Sequence, residues 1–323
     1  MDLSAYGTPE ELFAPADYEE GQPEHIDAPT YSYWKSVWRV FFGKKSNYLL
    51  LALLVVIVGF AFVYPAVIGY DPDVDPFRNL LDAESRHLSP SAAVEKYGFG
   101  LKWILGTGPA GQSTFDAVWY GAGISISLAL IVAAINLTIG VVVGALWGLS
   151  KAVDKVMTEI YNILANIPYI LLISVLVLIL SADFWTLVLA LTVTGWLGIA
   201  YFIRTQVMII RDREYNLASR CLGTPTWRIL LRNVLPFMTS VIVTLAAAEI
   251  PSYISYEVFL SYIGMGISQM SLGKLIQSAQ SAMLTPGWGM EFWSPVAVAS
   301  AITVVLYLLG QNLGDASDPK RHI

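Results

Sequence analysis

The chain has 323 residues, of which 55% are hydrophobic and 14% charged, with a mean hydropathy of +0.58. Soluble domains are about one-quarter charged, so these values exclude a soluble protein and define an integral membrane protein. A net charge of −6 and a single cysteine exclude a broadly basic, nucleic-acid-binding surface and any intramolecular disulfide.

Residues 1–30 hold Asp2, Glu10, Glu11, Asp17, Glu19, Glu20, Glu24 and Asp27 and neither Lys nor Arg. That is the composition of a solvated, disordered tail, with a specific partner contact as the alternative. It lacks the basic start and apolar core of a signal peptide, so the first span is uncleaved. Six apolar runs approach the roughly 20 residues that a spanning helix needs. They cover 48–68, 121–149, 160–182, 184–203, 234–256 and 293–313, and predict an all-α, polytopic protein. The second is long enough to tilt or to extend beyond the bilayer. The chain divides into a tail and pre-membrane segment (1–47), a first span (48–68), a loop (69–116), a five-helix core (117–313) and a terminus (314–323).

Basic residues set the orientation. With the N-terminus inside, 14 lie on the inner side against five outside: Arg78, Arg86, Lys96, Lys102 and Lys274. Both termini and the loop 211–236 are expected in the cytoplasm, with 69–116 and 266–293 outside.

In the outer loop, Asp71, Asp73 and Asp75 alternate and Asp82 follows, an echo of a calcium loop. Pro76 stands where the turn needs Gly and the terminal Glu is absent, so an ordinary solvated loop is the better reading. Within the spans, Asn136, Asn162 and Asn166 read as interhelical glue. Glu249 is a mid-span carboxylate, costing about 2.5–3.5 kcal/mol on insertion scales, so it must face protein or a watery cavity. Tyr253 and Tyr256 share its face, and Pro251 predicts a bend. Two readings stay open: a stripe contacting a peptide's amino end or backbone, or a carboxylate bonded to a neighbouring helix or subunit.

The segment 266–293 is too polar to cross. Leu272, Leu275, Ile276, Ala279 and Met283 recur at helical spacing, predicting an outer helix over the pathway, as a lid or as an interfacial anchor.

Loop 211–236 is polar yet not slack. Asp212 reads as the N-cap of a helix running to residue 222, with Gly223 the left-handed residue after it. Thr224 then caps a second helix with Pro225 at its first position, and Pro236 breaks that helix. Two capped helices on a membrane face predict a docking element for a soluble partner. Cys221 on this element reads as a packed, inert thiol. Gly43-Lys44 and Gly273-Lys274 lack the rest of a phosphate-binding loop, and His25, His87 and His322 lie apart. No catalytic, cofactor or metal site is expected, and any ATP and Mg must be bound by other subunits.

Ala218-Ser219, three residues, Gly223, then Leu235-Pro236 resembles the cytoplasmic signature of permease subunits of ABC importers. Arg213-Glu214-Tyr215 and the ending 310–319 resemble the oligopeptide/dipeptide branch, and 26–34 is similar to the OppC/AmiD type of Gram-positive bacteria. Leu217 stands where the signature has Glu and Ser219 replaces its second Ala, removing one carboxylate contact. In the outer loop, Gly108 and Gly111-Gln112-Ser113 replace charges that this branch usually carries.

The resemblance implies a six-helix type I importer fold and a subunit forming half of a peptide pathway. It implies a homologous second permease (OppB type), two ATPases (OppD and OppF types) and a peptide-binding lipoprotein (OppA type). Glu214, Tyr215, Ala218, Ser219, Leu222, Gly223, Trp227 and Arg228 would then couple to an ATPase. The alternatives are the same architecture carrying nickel or another small solute, and a self-sufficient secondary transporter.

Overall fold

The computed structural model describes residues 32–72 and 83–318. The acidic tail, and Asp73, Asp75 and Asp82 of the calcium-like run, lie outside them. Among the described residues, regular structure is helical apart from one isolated bridge between Thr107 and Ser113. No three metal-ligating side chains cluster there.

A short helix α1 (Tyr33–Gly43) stops at Lys44, whose backbone is extended, and α2 (Lys45–Ile68) follows as the first span. After it come α3 (Pro90–Tyr97) and α4 (Thr114–Leu149). The 36 residues of α4 rise about 54 Å, well beyond a hydrocarbon core of roughly 30 Å. Its start is fixed by Ser113, whose hydroxyl accepts from the Asp116 N–H at 3.2 Å.

The expected span 160–182 is not one helix. The chain forms α5 (Lys151–Leu164) and α6 (Tyr169–Ile179), bent by 75°. Pro168 has no N–H and disfavours helical backbone at the residue before it, which accounts for the break. At 11 residues, α6 rises only about 17 Å.

The helix α7 (Phe184–Arg211) interrupts itself at Thr194–Gly195 and runs eight residues past its expected end. Then come α8 (Glu214–Cys221), α9 (Thr226–Ile229), α10 (Thr239–Tyr262), α11 (Leu272–Ser278) and α12 (Gly289–Ser317). Among the described residues, five helices are long and apolar enough to cross a membrane: α2, α4, α7, α10 and α12. The bent pair makes a sixth if counted as one span.

Sequence spacing explains the closest packing. Gly140, Gly144 and Gly148 form a stripe on α4 against the second half of α7. A Cβ on Gly144 would sit 2.4 Å from the Ala200 carbonyl oxygen, and one on Gly148 would sit 2.8 Å from Val207. Small residues every fourth position let the two backbones approach. Asn136 reinforces this layer, donating to the Leu191 carbonyl (3.2 Å) and the Tyr253 hydroxyl (2.7 Å). Among the described residues, Asn166 bonds only the Asn162 carbonyl one turn back, and neither amide side chain reaches another helix of this chain.

Candidate functional site

The loop between α7 and α10 is anchored from beneath. Arg211 donates to the Gly148 carbonyl at 2.7 Å, and Asn216 donates to the Ile210 carbonyl at 2.9 Å. Asn233 reaches Asn216 at 2.9 Å, tying the loop's two arms together. These polar anchors are buried or half-buried, and none was singled out from sequence.

The caps differ from expectation. Asp212 does not cap α8. It takes the Arg211 guanidinium at 3.0 and 3.1 Å, which holds its carboxyl below the usual aspartate range. Thr224 makes no cap either, and Pro225 precedes α9 rather than opening it. Nor does Pro236 end the helix. A π-turn over Leu230–Val234 leads into helical Leu235–Phe237, so the wider turn absorbs the N–H that proline lacks.

Gly223 is as expected, with φ of +79°. The Gly223 N–H bonds the Arg220 carbonyl and the Thr224 N–H bonds the Ser219 carbonyl, closing α8 with a paired C-terminal motif. The outward surface is apolar where a free surface should be polar: Leu222 is 87% exposed, Trp227 60% and Tyr215 45%. Glu214, Ala218 and Arg228 are exposed beside them, and Ser219 is half-buried, donating to the Tyr215 carbonyl. The Arg228 guanidinium lies 5.8 Å from the Trp227 ring centre. Cys221, expected to be packed, is exposed.

Deeper in the bundle, Glu249, Tyr253 and Tyr256 line one cavity of about 380 Å³ together with Tyr169. It lies where the α5–α6 bend and the α7 interruption leave the helices irregular. The Tyr169 and Tyr256 rings meet edge-on at 5.5 Å, and the Tyr169 hydroxyl donates to the Leu191 carbonyl at 2.8 Å.

A family profile described as "Binding-protein-dependent transport system inner membrane component" matches residues 137–323. A second, "N-terminal TM domain of oligopeptide transport permease C", matches residues 32–90. The chain belongs to this family of transport permeases. It is 45% identical to the oligopeptide transport system permease protein AmiD of Streptococcus pneumoniae, over 93% of this chain and 94% of that one. It is 33% identical to the dipeptide transport system permease protein DppC of Bacillus subtilis, over 97% and 93%. The oligopeptide permease OppC of the same organism is 31% identical, over 97% and 98%.

At the opposite end of the permease from the loop, a second polar site was not foreseen. Glu257 is fully buried, accepting from Ser125 (2.8 Å), Ser261 (2.9 Å) and Ser271 (2.6 Å). Ser271 also caps α11, and the Leu272 N–H donates to Ser125 at 3.1 Å, so one carboxylate pins α11 to α10 and α4. The helix expected over 266–293 is therefore short and seated in the bundle: Leu272, Leu275, Ile276 and Ala279 are buried, and Met283 lies beyond its end.

Two more carboxylates hold the segment before α4 in place. Asp116 accepts from the Tyr64 hydroxyl at 2.8 Å and faces Lys102 at 3.5 Å. Glu291 pairs with His87 at 2.8 Å, whose ring stacks on Trp288 at 3.9 Å.

Proposed function

We propose that this permease is one transmembrane subunit of an ATP-driven oligopeptide importer in the bacterial cell membrane, with loop 211–236 on the cytoplasmic side. It forms half of the pathway beside a homologous second permease. Two cytoplasmic ATPases bind and hydrolyse Mg-ATP, and an extracellular peptide-binding lipoprotein delivers cargo. The chain needs no cofactor of its own. The observation that carries this reading is the exposed trio Tyr215, Leu222 and Trp227 on a rigidly anchored loop. Large apolar groups held out from a fixed base serve as anchors for a partner. The names of the relatives supply the cargo class.

The geometry gives a route for force. Closure of the ATPase pair moves α8, and the bonds from Arg211, Asn216 and Asn233 pass that movement to the loop-side ends of α4, α7 and α10. The Gly140–Gly148 stripe makes α4 and α7 travel together as one body. Their motion against α10 opens the cavity around Glu249 to one side of the membrane and then the other. Glu249 and the tyrosines offer a carboxylate and hydroxyls to a peptide's amino end and backbone, which every peptide carries.

The test is reconstitution with the ATPases and binding lipoprotein in proteoliposomes. Peptide uptake should require ATP on the loop side. Uptake by the permease without ATPases would overturn the proposal and favour a secondary transporter. Orientation is read separately from the exposed Cys221: an impermeant thiol reagent should label it only after cells are opened.

A further inference from the structure

The helix α1 packs one face against α12 and the core and carries a three-sector surface. At 100° per residue, Val40, Tyr33, Val37 and Phe41 fall on one arc, and Val37 and Phe41 are buried against the protein. Trp34, Trp38 and Phe42 fall on the next arc, all at least 40% exposed. Lys35 and Arg39 follow on the third, one turn apart and exposed. Protein side, hydrocarbon side and headgroup side thus succeed one another around the helix. A helix lying in the plane of the membrane against a bundle requires that order.

The helix is also held firmly at both ends. The Tyr33 hydroxyl donates to the Ser317 carbonyl at 2.8 Å. Lys44 donates to Asn312 at 3.0 Å and faces Asp315 at 3.5 Å, and Asn312 bonds Asn47 at 2.7 Å. Lys44 is consequently occupied within the chain. Lys35, Arg39 and the exposed Lys45 that opens α2 have no acidic partner among the described residues.

We propose that α1 is a seat for anionic phospholipid headgroups, with Lys35, Arg39 and Lys45 as its cationic ligands and Trp34, Trp38 and Phe42 set among the acyl chains. The occupant is a membrane phospholipid, because the cations border an exposed aromatic face that a free anion would leave unsatisfied. Through Tyr33, Lys44 and Asn47 the seat bears on the last turns of α12, so headgroup occupancy steadies the end of a spanning helix. The inference rests on the permease reading only for which leaflet is meant. Its readout involves neither peptide nor ATPase, so the two can fail separately.

The experiment uses the full chain in nanodiscs of phosphatidylcholine mixed with phosphatidylglycerol, with retained lipid counted by native mass spectrometry. The wild type should retain phosphatidylglycerol in excess. K35Q, R39Q and K45Q should each weaken that retention about fivefold, the value of one cation near an anionic surface. All three side chains are exposed, so the fold should survive, and an unchanged thermal transition checks that it does. K151Q with K155Q, on the same membrane face, should leave the retention intact. Equal retention of both lipids by the wild type, as when the acidic segment 2–27 occupies these cations instead, overturns the proposal. So does a loss as large in K151Q/K155Q as in the seat variants, which would mean only diffuse attraction.

Discussion

The permease carries a short helical turn at each end of its bundle, and the two are built oppositely. At one end α11 buries its apolar residues and satisfies its polar ones internally, through Ser271, Ser125, Ser261 and Glu257. At the other, the loop carrying α8 and α9 leaves Tyr215, Leu222 and Trp227 exposed, while Arg211, Asn216 and Asn233 at and around its base grip the bundle. The α11 turn is satisfied within this chain, whereas the α8–α9 loop holds apolar side chains in the open, which on the proposed reading a docked partner covers. Mutations in the first should therefore act on folding, and mutations in the second on assembly and coupling.

The largest effect should come from the complete turn. Glu257→Ala strips three buried hydroxyls of their acceptor, and each buried polar group left unsatisfied costs about 1–3 kcal/mol. A loss of roughly 3 kcal/mol or more is expected in thermal or denaturant unfolding, with Glu257→Gln milder because it keeps one acceptor. A wild-type transition in Glu257→Ala would break the contrast. Gly223→Ala comes next. Its Cβ would meet nothing within 4 Å, so the cost is backbone alone, about 1–2 kcal/mol for a left-handed non-glycine residue. Stability of the isolated permease should fall by about that much, less than in Glu257→Ala, and peptide-stimulated ATP hydrolysis in the assembled importer should fall as well.

Glu249→Gln lines an existing cavity without changing volume, so stability should stay within about 0.5 kcal/mol. Uptake should alter most for peptides with a free amino end, and unchanged uptake across such peptides would leave Glu249 a structural group. Asp212→Asn should have the smallest effect. The Arg211 guanidinium lowers the Asp212 pKa, so the pair's contribution is complete above about pH 4 and lost as pH falls below that. The carboxylate is exposed and screened, so the mutant should match wild type in the melting temperature at neutral pH. A clear loss there would mean that the loop's base depends on this pair.

What the sequence made legible follows which signals are local. Gly223-Thr224-Pro225 announced a helix end and a left-handed residue, and both are present. The Asp212 cap is not made because a competing cation lies one residue away and takes the carboxylate. Pro168 in the expected third span was equally visible, and its steric veto outweighed the apolar run around it. The buried carboxylates were missed for a shared reason. Asp116, Glu257 and Glu291 fall at the margins of the expected spans, where each charge lowered local hydropathy and pushed the boundary inward. Apart from Ser261, one turn on from Glu257, the hydrogen-bond partners given above come from other segments, so sequence showed the cost of burying these carboxylates without most of the groups that offset it.

The docking claim is tested most directly by purifying the assembled complex through this permease with Leu222 and Trp227 replaced by alanine, singly and together. Each is an exposed anchor whose loss at an interface can cost 2 kcal/mol or more, about thirtyfold in affinity. The expected result is loss of ATPase subunits from the complex while the second permease and the thermal transition are retained. ATPase subunits retained at wild-type stoichiometry, with wild-type peptide-stimulated hydrolysis, would contradict the assignment of this loop as the coupling element.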